Sequence, residues 1–168
     1  MSENTEKIDI IKLSNELTYQ RFLFNREYRK DIFMKMSIPE YIALQYISME
    51  ETANIYSGRT YLKDLADKLQ MSIRQISKIV EKLRDGGFVL WSHDGNGSEG
   101  TYVTITENGR KLLTSQEEIL RKYYGNVFEQ FGKDNLIQLL QLMKQLETIM
   151  SSELERIEGD TNDDKTDE

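Results

Sequence analysis

Between Ser72 and Lys82 the sequence spaces Arg74, Gln75, Ser77, Lys78 and Lys82 so that cationic and hydrogen-bonding side chains share one side of a helix. Ile76, Ile79, Val80 and Leu83 fall on the other side at about 100° per residue. Arginine pairs with guanine and glutamine with adenine at the base edges that the DNA major groove exposes, each good bidentate contact giving roughly 1–3 kcal/mol of discrimination. Arg74 and Gln75 are therefore the expected base readers, and Lys78 can serve base or phosphate. Ser72, Ser77, Lys82 and Thr60 are expected to hold the sugar–phosphate backbone, because phosphate contacts set register and not sequence preference. The solvated face of any amphipathic helix has a similar pattern, so the elements around this one decide between the two readings.

Those elements favour a groove-binding helix. Ser72 and Gln75 form an S-x-x-Q capping box that opens it, and Gly86-Gly87 stops it. Just upstream, Thr60 can cap a short helix with Leu62, Leu65, Ala66 and Leu69 on one face, joined to the next by a tight turn at Gln70-Met71. Two short helices around a brief turn make a helix-turn-helix signal. Phe88 to Trp91 then favours a strand, Asp94 to Gly100 is turn material, and Thr101 to Thr106 alternates with Val103 and Ile105 on one side. This predicts a hairpin wing with a flexible tip, on which Asn96 and Ser98 are further polar candidates for DNA contact.

Long helices flank this lobe. Residues 6–34 read as amphipathic through Ile10, Leu13, Leu17, Phe24 and Tyr28, with Phe22, Ile32 and Phe33 widening the stripe. Ser37 and Glu40, with Pro39 between them, cap a second helix carrying Tyr41, Leu44 and Ile47. Downstream, Thr106 can cap a helix through Leu112, Leu113, Ile119, Leu120, Tyr123, Val127 and Phe128. Gly132 breaks it before a last helix with Leu136, Leu139, Leu140, Met143, Leu146 and Met150. These long helices carry more apolar surface than a lobe of about 50 residues can cover, which predicts that a partner copy covers it.

Composition narrows the function classes. The 168 residues hold no cysteine, which excludes disulfides and thiolate metal sites, and His93 is the single histidine. No histidine cluster for zinc and no Ser/His/Asp set can be assembled, so neither metal, cofactor nor enzyme activity is expected. Gly95, Gly97 and Gly100 lie in a hairpin tip and not between a strand and a helix start, which makes them turn glycines and no phosphate cradle. The polar N-terminus and the lack of a long apolar run fit a cytoplasmic protein. A formal net charge of −7 opposes DNA binding in bulk, yet residues 59–93 carry seven basic side chains against four acids, a local +3. With a Debye length of about 8 Å at physiological salt, acids on a far face are largely screened.

The run Tyr61-Leu62-Lys63-Asp64-Leu65-Ala66-Asp67-Lys68-Leu69, then Met71-Ser72, Val80-Glu81-Lys82-Leu83, Gly87-Phe88-Val89 and Val103 to Gly109, resembles the winged-helix pattern of the MarR family of bacterial regulators, in order and in spacing. The resemblance covers roughly residues 8–155. It implies a homodimer built from the first and last two helices that binds a pseudo-palindromic operator, often as a repressor released by a small ligand. Phe22, Tyr28, Tyr41 and Tyr46 lie near the junction where such a family binds its effectors, and they are the candidates for a pocket taking an aromatic or hydrophobic ligand. One departure is in the wing: the family's Asp-x-Arg, whose arginine enters the minor groove, falls on Gly97 and Glu99 here. An acid at that point repels phosphate, which leaves a winged-helix protein-interaction module without DNA binding as the alternative.

The expected fold class is thus mainly α (α+β). A winged helix-turn-helix lobe at about 39–106 is flanked by long dimerisation helices at about 6–34 and 107–157. Residues 1–157 form a single domain in this reading, and 158–168 an acidic disordered tail.

Overall fold

The computed structural model describes residues 10–27, 36–53, 58–95 and 97–163, and the chain divides into two units, Met1–Ile119 and Leu120–Glu168. In the first unit the order is α1 (Ile10–Glu27), α2 (Ile38–Ala53), β1 (Thr60–Tyr61), α3 (Leu62–Leu69), α4 (Ile73–Asp85), β2 (Val89–His93), β3 (Thr101–Ile105) and the start of α5 (Glu107–Phe131). The second unit holds the rest of α5 and α6 (Lys133–Asp163).

The core of the first unit follows from helical and strand periodicity. Ala43, Leu44 and Ile47 recur at three- and four-residue steps on α2, Leu62, Leu65 and Ala66 do so on α3, and Ile76, Val80 and Leu83 do so on α4. They close against Val89 of β2, Val103 and Ile105 of β3, and Leu113 of α5. The three strands pair antiparallel in the order β1-β3-β2, with Val89 opposite Ile105 and Trp91 opposite Val103. Every side chain on the inward face of this ladder is therefore separated by the two-residue pleat.

Three local devices set the angles between elements. Ser37 and Glu40 cap α2 reciprocally, the Ser37 N–H donating to Glu40 Oε2 at 2.7 Å and the Glu40 N–H to Ser37 Oγ at 3.4 Å. Gln70 ends α3 in the left-handed region at φ 52°, while the Met71 N–H bonds back to the Ala66 carbonyl. Thr106 starts α5: its hydroxyl accepts from the Gly109 N–H at 3.0 Å and donates to the Gly87 carbonyl at 2.7 Å, which ties the helix to the loop leaving α4.

The structure corrects several expectations. Thr60 does not cap α3; it is buried in β1 opposite Val103, and α3 begins at Leu62 without a side-chain cap. Its β-branched side chain suits the ladder better than a cap position. The wing is accordingly a three-stranded sheet and not a lone hairpin. At the described part of the tip, Gly97–Gly100 forms a 3-10 turn, and His93 contacts it, accepting from the Gly95 N–H at Nδ1 and bonding the Gly97 carbonyl through Nε2 at 2.5 Å. At the far end α6 runs to Asp163, so residues 158–163 are helical where disorder was expected. Leu154, Glu155 and Arg156 are good helix formers, and the Arg156–Glu153 ion pair one turn apart lets the helix continue through the acidic stretch. Of the long N-terminal helix expected at 6–34, residues 10–27 are helical; Tyr28, Ile32 and Phe33 lie outside the described residues.

Apolar side chains on the long helices stay exposed. Ile10, Leu13, Phe22 and Phe24 are so on α1, and Leu140, Met143, Ile149, Met150 and Leu154 on α6.

A Cβ on Gly109 would come within 2.1 Å of the Phe88 carbonyl oxygen. Gly109→Ala is therefore expected to destabilise the protein by roughly 1–3 kcal/mol. A urea melt checks this, and an unchanged midpoint would mean that α5 does not start against this loop.

Candidate nucleic-acid interface

Helix α4 presents the candidate surface. Its N-cap is Ser72, whose Oγ accepts from the Gln75 N–H at 3.2 Å, while Gln75 Oε1 accepts from the Ser72 N–H at 2.9 Å and the Ser72 hydroxyl at 3.1 Å. Met71, just before the cap, packs against the core that holds Ile76, in the manner of a hydrophobic staple. With Ile76, Val80 and Leu83 inward, Arg74 and Lys78 are exposed and Ser77 is half-buried between them and the core.

These positions redistribute the expected roles. Arg74 and Lys78 stand free of any protein carboxylate among the ion pairs of the described residues. Gln75 has its carbonyl oxygen committed to the cap, so a bidentate adenine contact, which needs that oxygen as acceptor, would have to break the cap. Lys82 is exposed but paired: its Nζ lies 2.5 Å from Glu40 Oε1. Thr60 is 1% exposed and cannot reach a phosphate. Asn96 and the side chain of Ser98 lie outside the described residues. Glu99 is exposed on the wing, beside Tyr61, Lys63, Asp64 and Asp94 around a shallow surface depression.

Glu40 is the residue that sequence reasoning assigned only to a cap. Its carboxylate serves α2 through Ser37 and α4 through Lys82 at once. Burial by itself pushes its pKa up, but the bonds from Lys82 and Ser37, with the Lys82 charge, outweigh that and hold it below the usual carboxylate value. The capping-box signal is local and visible in sequence, whereas the partner on α4 is brought there by the fold.

Towards the tip end of the wing, Arg59 sits over the Tyr102 ring at 4.5 Å, Tyr61 meets Tyr102 edge-on at 5.8 Å, and the Tyr61 hydroxyl donates to Asp94 at 3.0 Å. Arg84 lies over Trp91 and pairs with Asp85, which anchors the end of α4 to β2.

Three of the four aromatics expected to line an effector pocket fall among the described residues. Phe22 is exposed on α1, and Tyr28 lies outside the described residues. Tyr41 and Tyr46 pack partly buried against the core, but five positions apart they point about 140° away from each other around α2. Burial raises the pKa of each phenol, helped by Glu117 at Tyr41 and by Glu50 and Asp64 at Tyr46. Among the described residues no group of three or more His, Cys, Asp or Glu side chains is placed to hold a metal ion, and no helix is long and apolar enough to cross a membrane.

No protein-family model matches the sequence, and no curated protein matches it. Solved structures do share the fold. A mutant MarR from E. coli complexed with operator DNA superposes with a TM-score of 0.66 at 13% identity, over 82% of this chain and 98% of that one. A MarR family regulator from Neisseria meningitidis gives 0.65 at 17% identity, over 84% and 96%. BpsR of Bordetella bronchiseptica, whose DNA binding is regulated by 6-hydroxynicotinic acid, gives 0.60 at 15% identity, over 82% and 98%. The fold is that of the MarR-family winged-helix regulators, mainly α with a small antiparallel sheet.

Because Glu40 is held below its unfolded pKa, it stabilises the folded state above about pH 4.5, and that contribution is lost as the pH falls through the lowered value. Glu40→Gln keeps a residue that can cap but removes the charge. It is expected to cost about 1 kcal/mol at neutral pH, modest because Lys82 is largely exposed, and to lose its effect at pH 3. Paired denaturant melts at the two pH values check this; an equal loss at both would place the effect in packing.

Proposed function

We propose that this chain is a sequence-specific DNA-binding regulator of transcription that acts as a homodimer. The observation that carries the reading is the first two turns of α4. They are capped, backed by a packed core, and present Arg74 and Lys78 unpaired to solvent on a winged-helix scaffold. Such a helix enters the major groove with its N-terminal part, where each base pair shows a distinct pattern. Glu81, a turn further along the same face, repels phosphate and favours an approach by the N-terminal turns. The operator-bound E. coli structure of the same fold supports this reading, and the BpsR structure supports control by a small ligand.

The exposed apolar stripes of α1 and α6 support the dimer: helices this apolar bury their stripes against a second copy. In this reading residues 1–157 work as one MarR-like unit, two recognition helices read half-sites about 10–10.5 base pairs apart in a pseudo-palindrome, and the protein represses until an aromatic or hydrophobic effector releases it. In this reading the chain acts by binding DNA and not by catalysis. Glu99, exposed on the wing, favours a second reading, a winged-helix module that binds protein.

A mobility shift on the DNA upstream of the protein's own coding sequence, at two salt concentrations, separates the two. Arg74→Ala is expected to cost about 1–3 kcal/mol and to relax preference at one base pair, while Lys78→Ala lowers the salt slope by about 0.9 if it meets a phosphate. Absence of any shift at low salt would favour the protein-binding module. In sedimentation equilibrium the protein is expected at twice its 19.7 kDa chain mass, and a species of one chain mass would remove the paired-half-site geometry.

A further inference from the structure

Ile73 is the first residue of the recognition helix, and its side chain is 48% exposed. It is the exception on α4: Ile76, Val80 and Leu83 are buried and Ile79 is packed against the core. At about 100° per residue Ile73 lies between the buried stripe and Ser77, in the same first turn as Arg74 and about 140° around the helix from Lys78. The hydrophobic staple across the cap is made by Met71 and not by Ile73, so the helix start does not need this side chain for packing. A branched apolar group thus stands exposed in the first turn of the helix, next in sequence to the unpaired Arg74.

We infer that Ile73 is a specificity-determining residue that seats on the C5-methyl group of a thymine, next to the base pair that Arg74 reads. The methyl is the one apolar feature in the major-groove pattern, and it distinguishes thymine from cytosine at the pyrimidine edge. With the acceptor of Gln75 held by the cap, the readout at this end of the helix passes from a hydrogen-bonding glutamine to an apolar contact. The inference rests on the DNA-binding reading above.

The test uses the full-length protein and a duplex that it enriches from a randomised 30-base-pair library. Each thymine of that duplex is replaced in turn by deoxyuridine, which removes only the methyl, and affinity is measured by fluorescence anisotropy for wild type, Ile73→Val and Ile73→Ala. At one thymine per half-site, wild type is expected to lose about fourfold, the fold-change that corresponds to ~0.8 kcal/mol for one methyl-sized group left in water. Ile73→Val should keep most of that loss and Ile73→Ala should show none, with all three proteins melting at the same temperature because the side chain is not part of the core. If a duplex is enriched and bound but every deoxyuridine costs wild type and Ile73→Ala equally, the thymine contact is wrong while DNA binding stands. If no duplex is enriched, the DNA-binding reading falls and the contact with it.

Discussion

The arrangement depends on the burial of one stripe, Ile76, Val80 and Leu83, against α2 and the sheet. That burial fixes which side of α4 can face a ligand, since a helix has a single rotation in which all three are inside. Arg74 and Lys78 are exposed for this reason and need no further support to be so. The salt bridge from Lys82 to Glu40 acts on the same helix from the outside and joins it to the capped start of α2. Apolar burial sets the helix's rotation, and a peripheral ion pair adds a second tie.

A division of labour follows along α4. Its first two turns carry the free cations and an exposed isoleucine; its last turns are occupied with the protein itself, through Lys82 to Glu40 and through Arg84 to Asp85 and Trp91. A count of basic residues treats all four side chains as equal, although Lys82 and Arg84 each already have a carboxylate partner on the protein. The cations of α4 without a carboxylate partner among the described ion pairs, Arg74 and Lys78, are concentrated at its N-terminal end.

Much of the fold was legible because its signals are local. The capping boxes at Ser37–Glu40 and Ser72–Gln75, the turn at Gln70-Met71, the cap at Thr106 and the break at Gly132 each depend on residues within one helical turn. What escaped was decided by residues distant in the chain. Thr60 looks like a cap until Val103 pairs with it, and the Glu40 partner of Lys82 shows only once α2 and α4 are folded together. Gln75 is a different case, since the capping box and the adenine contact were both read from the same residue and compete for one oxygen. The exposure of Ile73 was hidden by its type, because an isoleucine on an amphipathic helix is ordinarily assigned to the core.

The turn between α3 and α4 has a consequence of its own. Gln70 is the one described residue other than glycine with positive φ, at 52°. A side chain in that conformation costs about 1 kcal/mol, which glycine would avoid. Glycine, however, can also adopt other backbone shapes freely, and the two helices could then change their mutual angle. By keeping a side chain at the joint, the protein accepts a small loss of stability in return for a narrower range of angles between α3 and α4.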